Sequence, residues 1–566
     1  MLKSTKPTSL LLRVPKLASS VFVGSLSERT GTTTRTKESS SRMSTDTASA
    51  SSSSSIPPPA TQPLLFPTHR KKTPLHRLHP QHHAEGAPRK HTPKMMAFPL
   101  GYKEAAHQWW TSLSSRQAEQ NVLSFIPHVR EATGPSVGAR LLDLANSDPF
   151  GQRVWRSSMV QLSGKNRALN EFSIEREGED VDNTLVMLHG YGAGLGFFYK
   201  NFEPLTRLPG WKLYALDMLG MGNSSRPSFK VHAKTQKEKI AEAESWFIDA
   251  LEEWRKIRKL EKFTLMGHSM GGYLAVSYAL KYPGHLNKLI LVSPVGIPED
   301  PWAVNAAMPE PETSTMAAEF TQDQESIVHQ TPAGQNAEYV NAETKDKKSV
   351  ASQPNNSTTP PKRPLPGWLV WLWDANVSPF SIVRFAGPLG PRFVSGWTAR
   401  RFNHLPSAEK QALHDYSYAL FRQRGSGEYA LPYLLAPGAY ARSPVINRIQ
   451  DVGRQIISPK TDATPEVKEH GFPIVFMYGE NDWMDVAGGY AAEEKIKKRI
   501  EKALMEEGED TREKENGSVK VVVVRKAGHH LYVDNPEEFN EVVRRELKET
   551  TVMEKRRTNQ EQWGSK

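Results

Sequence analysis

Six short apolar runs, Leu185 to Leu188, Lys212 to Leu216, Phe263 to Met266, Leu289 to Val292, Ile474 to Met477 and Val519 to Val524, punctuate the chain. Runs this short and nearly continuous in apolar character suit strands buried on both faces of a parallel sheet. Between them lie stretches with helical spacing; in residues 240–260, Ile240, Phe247, Leu251, Trp254 and Ile257 fall close to one helix face. The alternation predicts an α/β fold with a doubly wound, mostly parallel sheet.

The pattern fails in two places. Residues 305–363, from "NAAMPEPETSTMAAEF" to "NNSTTPPKR", read as a polar, disordered insertion, and 364–447 resume helical patterns expected to form a lid. Core sequence is thus expected over 101–304 and 448–548, with a charged tail at 549–566. Upstream, residues 44–100 are rich in Ser, Pro and His ("SASSSSSIPPPATQP", "HRKKTPLHRLHPQHH") and read as a linker without a core. Its histidines 69, 76, 79, 82, 83 and 91 are irregularly spaced among prolines, which favours a solvated basic segment over a metal site. Residues 1–43 open with Lys3, Lys6, Arg13 and Lys16 and no acidic residue before Glu28, in a Ser- and Leu-rich context resembling a mitochondrial presequence.

Composition narrows the chemistry. A chain of 566 residues with 38% hydrophobic content has polar segments diluting an ordinary core. A formal charge of +11 suits work at an anionic surface. Without cysteine there is no disulfide, no thiolate nucleophile and no thiolate-ligated metal. No apolar stretch approaches the ~18 to 20 residues needed to span a bilayer, so a membrane would be met from the side.

The sharpest local signal is "LMGHSMGGYLAVSYAL", residues 265–280: a strand, then Gly267-His268-Ser269-Met270-Gly271, then a helix. In G-x-S-x-G the serine sits on a strained strand-to-helix turn, and the next amide, here Met270, faces a developing oxyanion. The loop "HGYGAG" after Leu188 offers a second donor, the Tyr191 amide. An acid is expected after the strand ending at Met477: Asp482, with Asp485 as the alternative one turn away. Asp217 precedes the nucleophile in the chain and reads, with Gly220 and Gly222, as a turn beside the pocket. His268 reads as structural.

"KAGHHLYVDNPEEF", residues 526–539, admits three chemistries. His529 is the base of a serine triad, His529 and His530 bind a metal, or His529 and Asp534 form the H-x-x-x-x-D pattern of glycerolipid acyltransferases. The triad is favoured because Ser269, Asp482 and His529 all follow strand ends in the required order; no metal or cofactor is then needed. Asp534 also reads as the N-cap of a helix with Glu537 as its capping-box partner.

Together, "YALDMLGMGNSSRPSF", "LEEWRKIRKLEKFTLMGHSMGGYLAVSYALKYP", "LILVSPVGIPE", "RFAGPLGP" and "AGHHLYVDNPEEFN" resemble the α/β-hydrolase subfamily of the N-acyl-phosphatidylethanolamine lipase, the lipid-droplet lipase co-activator and the fungal mitochondrial cardiolipin deacylase. The resemblance implies a serine acyl hydrolase of phospholipase A type, with mitochondrial cardiolipin as substrate. It also keeps open an acyl-CoA-dependent lysophosphatidic acid acyltransferase, with acyl-CoA as co-substrate. In the co-activator branch asparagine replaces the nucleophile; this chain keeps Ser269. A non-catalytic lipid-surface adaptor is the third possibility, and intact Ser269, Asp482 and His529 argue against it. The expected partner is an anionic membrane, the inner mitochondrial one or else a lipid droplet or cytoplasmic membrane surface, and not nucleic acid. Trp368, Trp371 and Trp373 read either as an interfacial lipid anchor or as a lid helix packed on the core, and Arg384, with Arg392, Arg400 and Arg401 nearby, either as a face for lipid phosphate or as a solvated basic face.

Overall fold

The computed structural model describes residues 97–132, 148–299, 324–329, 373, 375–436, 438–461, 465–506 and 514–564. The presequence, nearly all of the linker, and Trp368 and Trp371 lie outside them.

Nine strands form one sheet: β1 (Arg130–Glu131), β2 (Arg153–Gln161), β3 (Ala168–Arg176), β4 (Asn183–Leu188), β5 (Trp211–Leu216), β6 (Phe263–His268), β7 (Leu286–Val292), β10 (Pro473–Gly479) and β11 (Ser518–Val524). β8 (Ile456–Ser458) and β9 (Val467–Lys468) pair separately. The order in the sheet is β1-β2-β3-β5-β4-β6-β7-β10-β11. From β5 to β11 every pairing is parallel, while β3 runs antiparallel to both of its neighbours. All six runs read as strands are strands, each longer than its apolar run. β4, β6 and β7 are buried along their whole length because helices cover both faces of the sheet.

The β2–β3 hairpin carries no comparable signal. Its strand β2 is buried mainly near its two ends, exposed in the middle, and includes Arg153 and Arg156, so it lacks a continuous apolar run. The helix expected near 240–260 is Gln236–Ile257, which starts earlier because Thr235 and Glu238 form a capping box. Helix Pro536–Gly564 runs through the boundary expected at 548, so most of the charged tail continues a core-packed helix. Within the span expected to be disordered, Gln324–His329 form a helix with Gln324 and Ile327 buried.

The lid region is helical, with helices Phe380–Phe385, Gly390–Arg401, Ser407–Phe421 and Leu431–Leu434. Helices Tyr102–Thr111 and Ser115–Leu123, expected to begin the core, pack largely against these lid helices. Gln108 donates to Asp415 at 2.7 Å and meets the His414 ring at 2.9 Å.

A buried polar knot fastens both layers to the sheet. Glu119 accepts from Asn170 on β3, from Asn223 after β5 and from Tyr416 of the lid. Asp217 accepts from the Leu195 and Asn223 amides and from Asn170, all within 2.8 Å, and braces the turn beside the pocket as its position in the sequence suggests. Burial, reinforced by the Asp217 carboxylate, pushes Glu119 up to about 8 from an ordinary 4.5. The folded protein therefore keeps a proton there that the unfolded chain releases near pH 4.5. The stability it contributes is complete below that pH and is lost as the pH rises through about 8. Thermal unfolding should show wild-type Tm falling between about pH 5 and about pH 8 more steeply than that of Glu119→Gln, whose amide mimics the protonated acid. Parallel curves would exclude Glu119 as the titrating group.

Candidate active site

β6 meets helix Met270–Lys281 at Ser269, which is held at φ 53° and ψ −116°. Such a backbone costs a serine ~1–3 kcal/mol and persists only where the surroundings impose it. Here they do. A Cβ on Gly267 would lie 2.4 Å from the Gly271 carbonyl oxygen, and one on Gly271 would lie 2.6 Å from that of His189. Neither flanking position has room for a side chain, so the turn closes tightly and leaves Ser269 8% exposed at the helix N-terminus.

The loop after β4 lies against this turn. A Cβ on Gly190 would come within 3.1 Å of Ser269 Cβ, so the loop that carries Tyr191 packs directly on the turn. Among the described residues neither the Tyr191 nor the Met270 amide is used in another backbone hydrogen bond. The Tyr191 ring stacks on Phe380 at 5.2 Å and Phe380 on Phe421 at 4.6 Å, so lid side chains roof the oxyanion loop.

His529 follows β11, and its Nδ1–H faces Asp482 Oδ1 at 3.2 Å. Asp482 also accepts from the Met484 amide at 3.0 Å, and its side chain is 1% exposed. Asp485, the alternative acid, instead accepts from the Ala487 amide at 2.8 Å, at the start of helix Val486–Glu506. His268 has the structural role expected: fully buried, it donates from Nε2 to the His529 carbonyl oxygen at 3.0 Å and fixes the base's backbone. Among the described residues no hydrogen bond joins Ser269 Oγ to His529. Contacts of this kind are often long in a free enzyme and tighten when substrate binds.

Sequence reasoning missed Ser293. It directly follows β7, donates to Asp482 Oδ2 and lies 2.7 Å from His529 Nδ1. The signal is positional: β7 runs between β6 and β10, so its end must fall between the nucleophile and the acid.

The expected helix cap at Asp534 needs correction, and the structure decides between the alternatives at His530, Arg384 and Trp373. Asp534 is not a helix N-cap; it ends the short helix Leu531–Asp534, and Asn535 caps the next helix through Glu538. Asp534 makes no bond to His529 and is instead fully buried against Arg401 of the lid, at 3.1 Å, and the Gly528 amide, at 2.9 Å. His530 turns away from His529 and accepts from Arg401 Nε at 2.8 Å, so the two histidines are committed to different partners. Arg384 does not form an open basic face, because it pairs with Glu428 at 2.6 Å inside the lid. Trp373 is partly buried against the core and donates to the Leu435 carbonyl oxygen. The large apolar side chains exposed among the described lid residues are others: Val377, Ile382, Phe385, Leu389 and Phe393.

A strained serine between strand and helix, and a hydrogen-bonded histidine–aspartate pair, follow the C-terminal ends of strands in a mostly parallel sheet. The chain belongs to the α/β-hydrolase fold family, matching it over residues 183–536. It is 30% identical to an Arabidopsis thaliana protein named 1-acylglycerol-3-phosphate O-acyltransferase, over 75% of this chain and 78% of that one. Saccharomyces cerevisiae ICT1, of the same name, is 27% identical over 69% of this chain and 89% of its own. Mouse ABHD5, also so named, is 29% identical over 64% and 76% respectively.

Proposed function

We propose that this protein is a serine acyl hydrolase that removes a fatty acyl chain from a glycerophospholipid. The observation that carries this reading is Ser269 held at φ 53° on its strand-to-helix turn, in a chain whose His529 and Asp482 pair at 3.2 Å. His529 removes the Ser269 proton, the serine attacks the ester carbonyl, and the Tyr191 and Met270 amides hold the oxyanion. Each such donor contributes ~3 kcal/mol to lowering the barrier. Collapse leaves an acyl-serine and a lysolipid, and water activated by His529 then frees the acid.

The names of the relatives favour a second reading, in which a 1-acylglycerol-3-phosphate hydroxyl discharges acyl-Ser269 in place of water, with acyl-CoA as donor. Because Asp534 is committed to Arg401 and Gly528, this transfer too runs through Ser269 and not through a His529–Asp534 pair. The basic N-terminus and the charge of +11 support an anionic mitochondrial lipid, cardiolipin, as substrate and peripheral contact with the inner membrane. Among the described residues no helix is long and apolar enough to cross a membrane.

The test is to incubate the protein with cardiolipin, with phosphatidylethanolamine, and with 1-acylglycerol-3-phosphate plus acyl-CoA, and to identify products by mass. Free fatty acid and lysolipid are expected from cardiolipin. Phosphatidic acid without any fatty acid release would replace hydrolysis by transfer.

The lid supplies the membrane contact in this reading. Phe385 is 88% and Ile382 64% exposed on one short helix. Inserting a phenyl ring into lipid contributes ~1.5–3 kcal/mol. Phe385→Asp should therefore weaken binding to cardiolipin-containing vesicles by about tenfold or more in a sedimentation assay. Unchanged binding would place the contact elsewhere.

A further inference from the structure

We propose that Ser293 is a positioning residue for His529, its hydroxyl forming a hydrogen-bonded bridge from Asp482 that sets the imidazole's tautomer and orientation. The proposal rests on the reading of Ser269 as nucleophile and adds a fourth side chain to its support.

The backbone leaves Ser293 little freedom. It is fully buried, sits at φ 44°, and donates its amide to the Met477 carbonyl oxygen at 2.6 Å, across the β7–β10 pairing. The side chain therefore projects from a fixed point between acid and base. A hydroxyl donates once and accepts twice, whereas a carboxylate only accepts. Facing Asp482 Oδ2, the Ser293 proton is committed to the carboxylate, and its oxygen lone pairs remain for His529.

His529 Nδ1 must then carry a proton, since both groups that face it offer lone pairs. That proton is shared between Ser293 Oγ at 2.7 Å and Asp482 Oδ1 at 3.2 Å, and the serine is the nearer acceptor. With Nδ1 protonated, Nε2 holds the free lone pair that a base for Ser269 needs. When Nε2 takes the Ser269 proton, the positive ring keeps both contacts and the Ser293 proton stays on its oxygen. A hydroxyl that merely satisfied Asp482 would not need to lie closer to Nδ1 than the carboxylate does.

Hydrolysis of p-nitrophenyl butyrate by the full chain provides the test, with Ser269→Ala as control. If Ser269→Ala retains hydrolysis, the nucleophile reading fails whatever Ser293 does. With that control inactive, Ser293→Ala should lower kcat about 10-fold to 100-fold with KM within about twofold, the loss expected for one hydrogen bond to a charged group. A kcat within about twofold of wild type would overturn the proposal. If Ser293→Ala does not fold, a second pair of proteins decides. A carboxylate at 293 would reach Nδ1, and aspartate tolerates positive φ. Asp482→Asn combined with Ser293→Asp should then be at least about tenfold more active than Asp482→Asn alone. Equal activity of those two would overturn it.

Discussion

Ser269→Ala is expected to lose on the order of 10⁶-fold in kcat while keeping the fold, as removal of an activated serine does in other hydrolases. The loss is large because, among the described residues, the other candidate groups of the histidine loop are engaged elsewhere. His529 is committed through Nδ1 to Asp482 and Ser293, and Asp534 to Arg401 and Gly528. Alanine fits the same positive-φ turn as serine, since the turn is enforced by Gly267 and Gly271 rather than by the hydroxyl. Fatty acid release and acyl transfer should both disappear, with Tm within a few degrees of wild type. Residual transfer to 1-acylglycerol-3-phosphate at the wild-type rate would show that the chemistry bypasses an acyl-serine. A variant that failed to label with a fluorophosphonate yet hydrolysed normally would exclude Ser269 altogether.

The second large effect is on stability. Arg401 and the Asp534 side chain are each about 1% exposed or less, and the guanidinium also reaches His530. Burial pushes the Asp534 carboxyl up, while Arg401 and the Gly528 amide pull it back toward ionisation. Arg401→Ala would leave that carboxylate buried without its counter-charge, which typically costs 3–5 kcal/mol, or a Tm lower by roughly 5 °C. Asp534→Asn added to Arg401→Ala should recover part of the loss, because it removes the stranded charge. A loss under about 1 kcal/mol for Arg401→Ala, measured by urea unfolding, would mean that the pair is not what fastens the lid to the histidine loop.

The central sheet and the ends of its strands were legible because double burial leaves runs such as Leu289 to Val292 free of polar residues, and because chemistry follows strand ends in this fold. Gly267 and Gly271 were legible for a local reason: the turn itself excludes side chains. What was hidden depends on pairing between distant parts of the chain. Ser293 gains its role only once β7 is known to lie between β6 and β10. Asp534 looked like a cap because its sequence neighbours suit one, yet the partner that decides its role, Arg401, is 133 positions away. Arg384 and Trp373 looked like lipid contacts by composition, but a charged or indole side chain on a lid serves equally well inside it. Sequence spacing does not distinguish the two faces when the lid helices are short.

The two helices ahead of the sheet give the fold a boundary different from the one its family pattern draws. Gln108 and Glu119 lie upstream of residue 183, yet they satisfy His414, Asp415 and Tyr416 deep in the lid. A chain trimmed to 183–536 would keep every residue of the proposed chemistry and still strip the roof of its fastening, leaving those polar groups to water or to one another. The smallest autonomous unit of this protein is therefore set by what closes the lid, and it begins well before the first strand that carries the site.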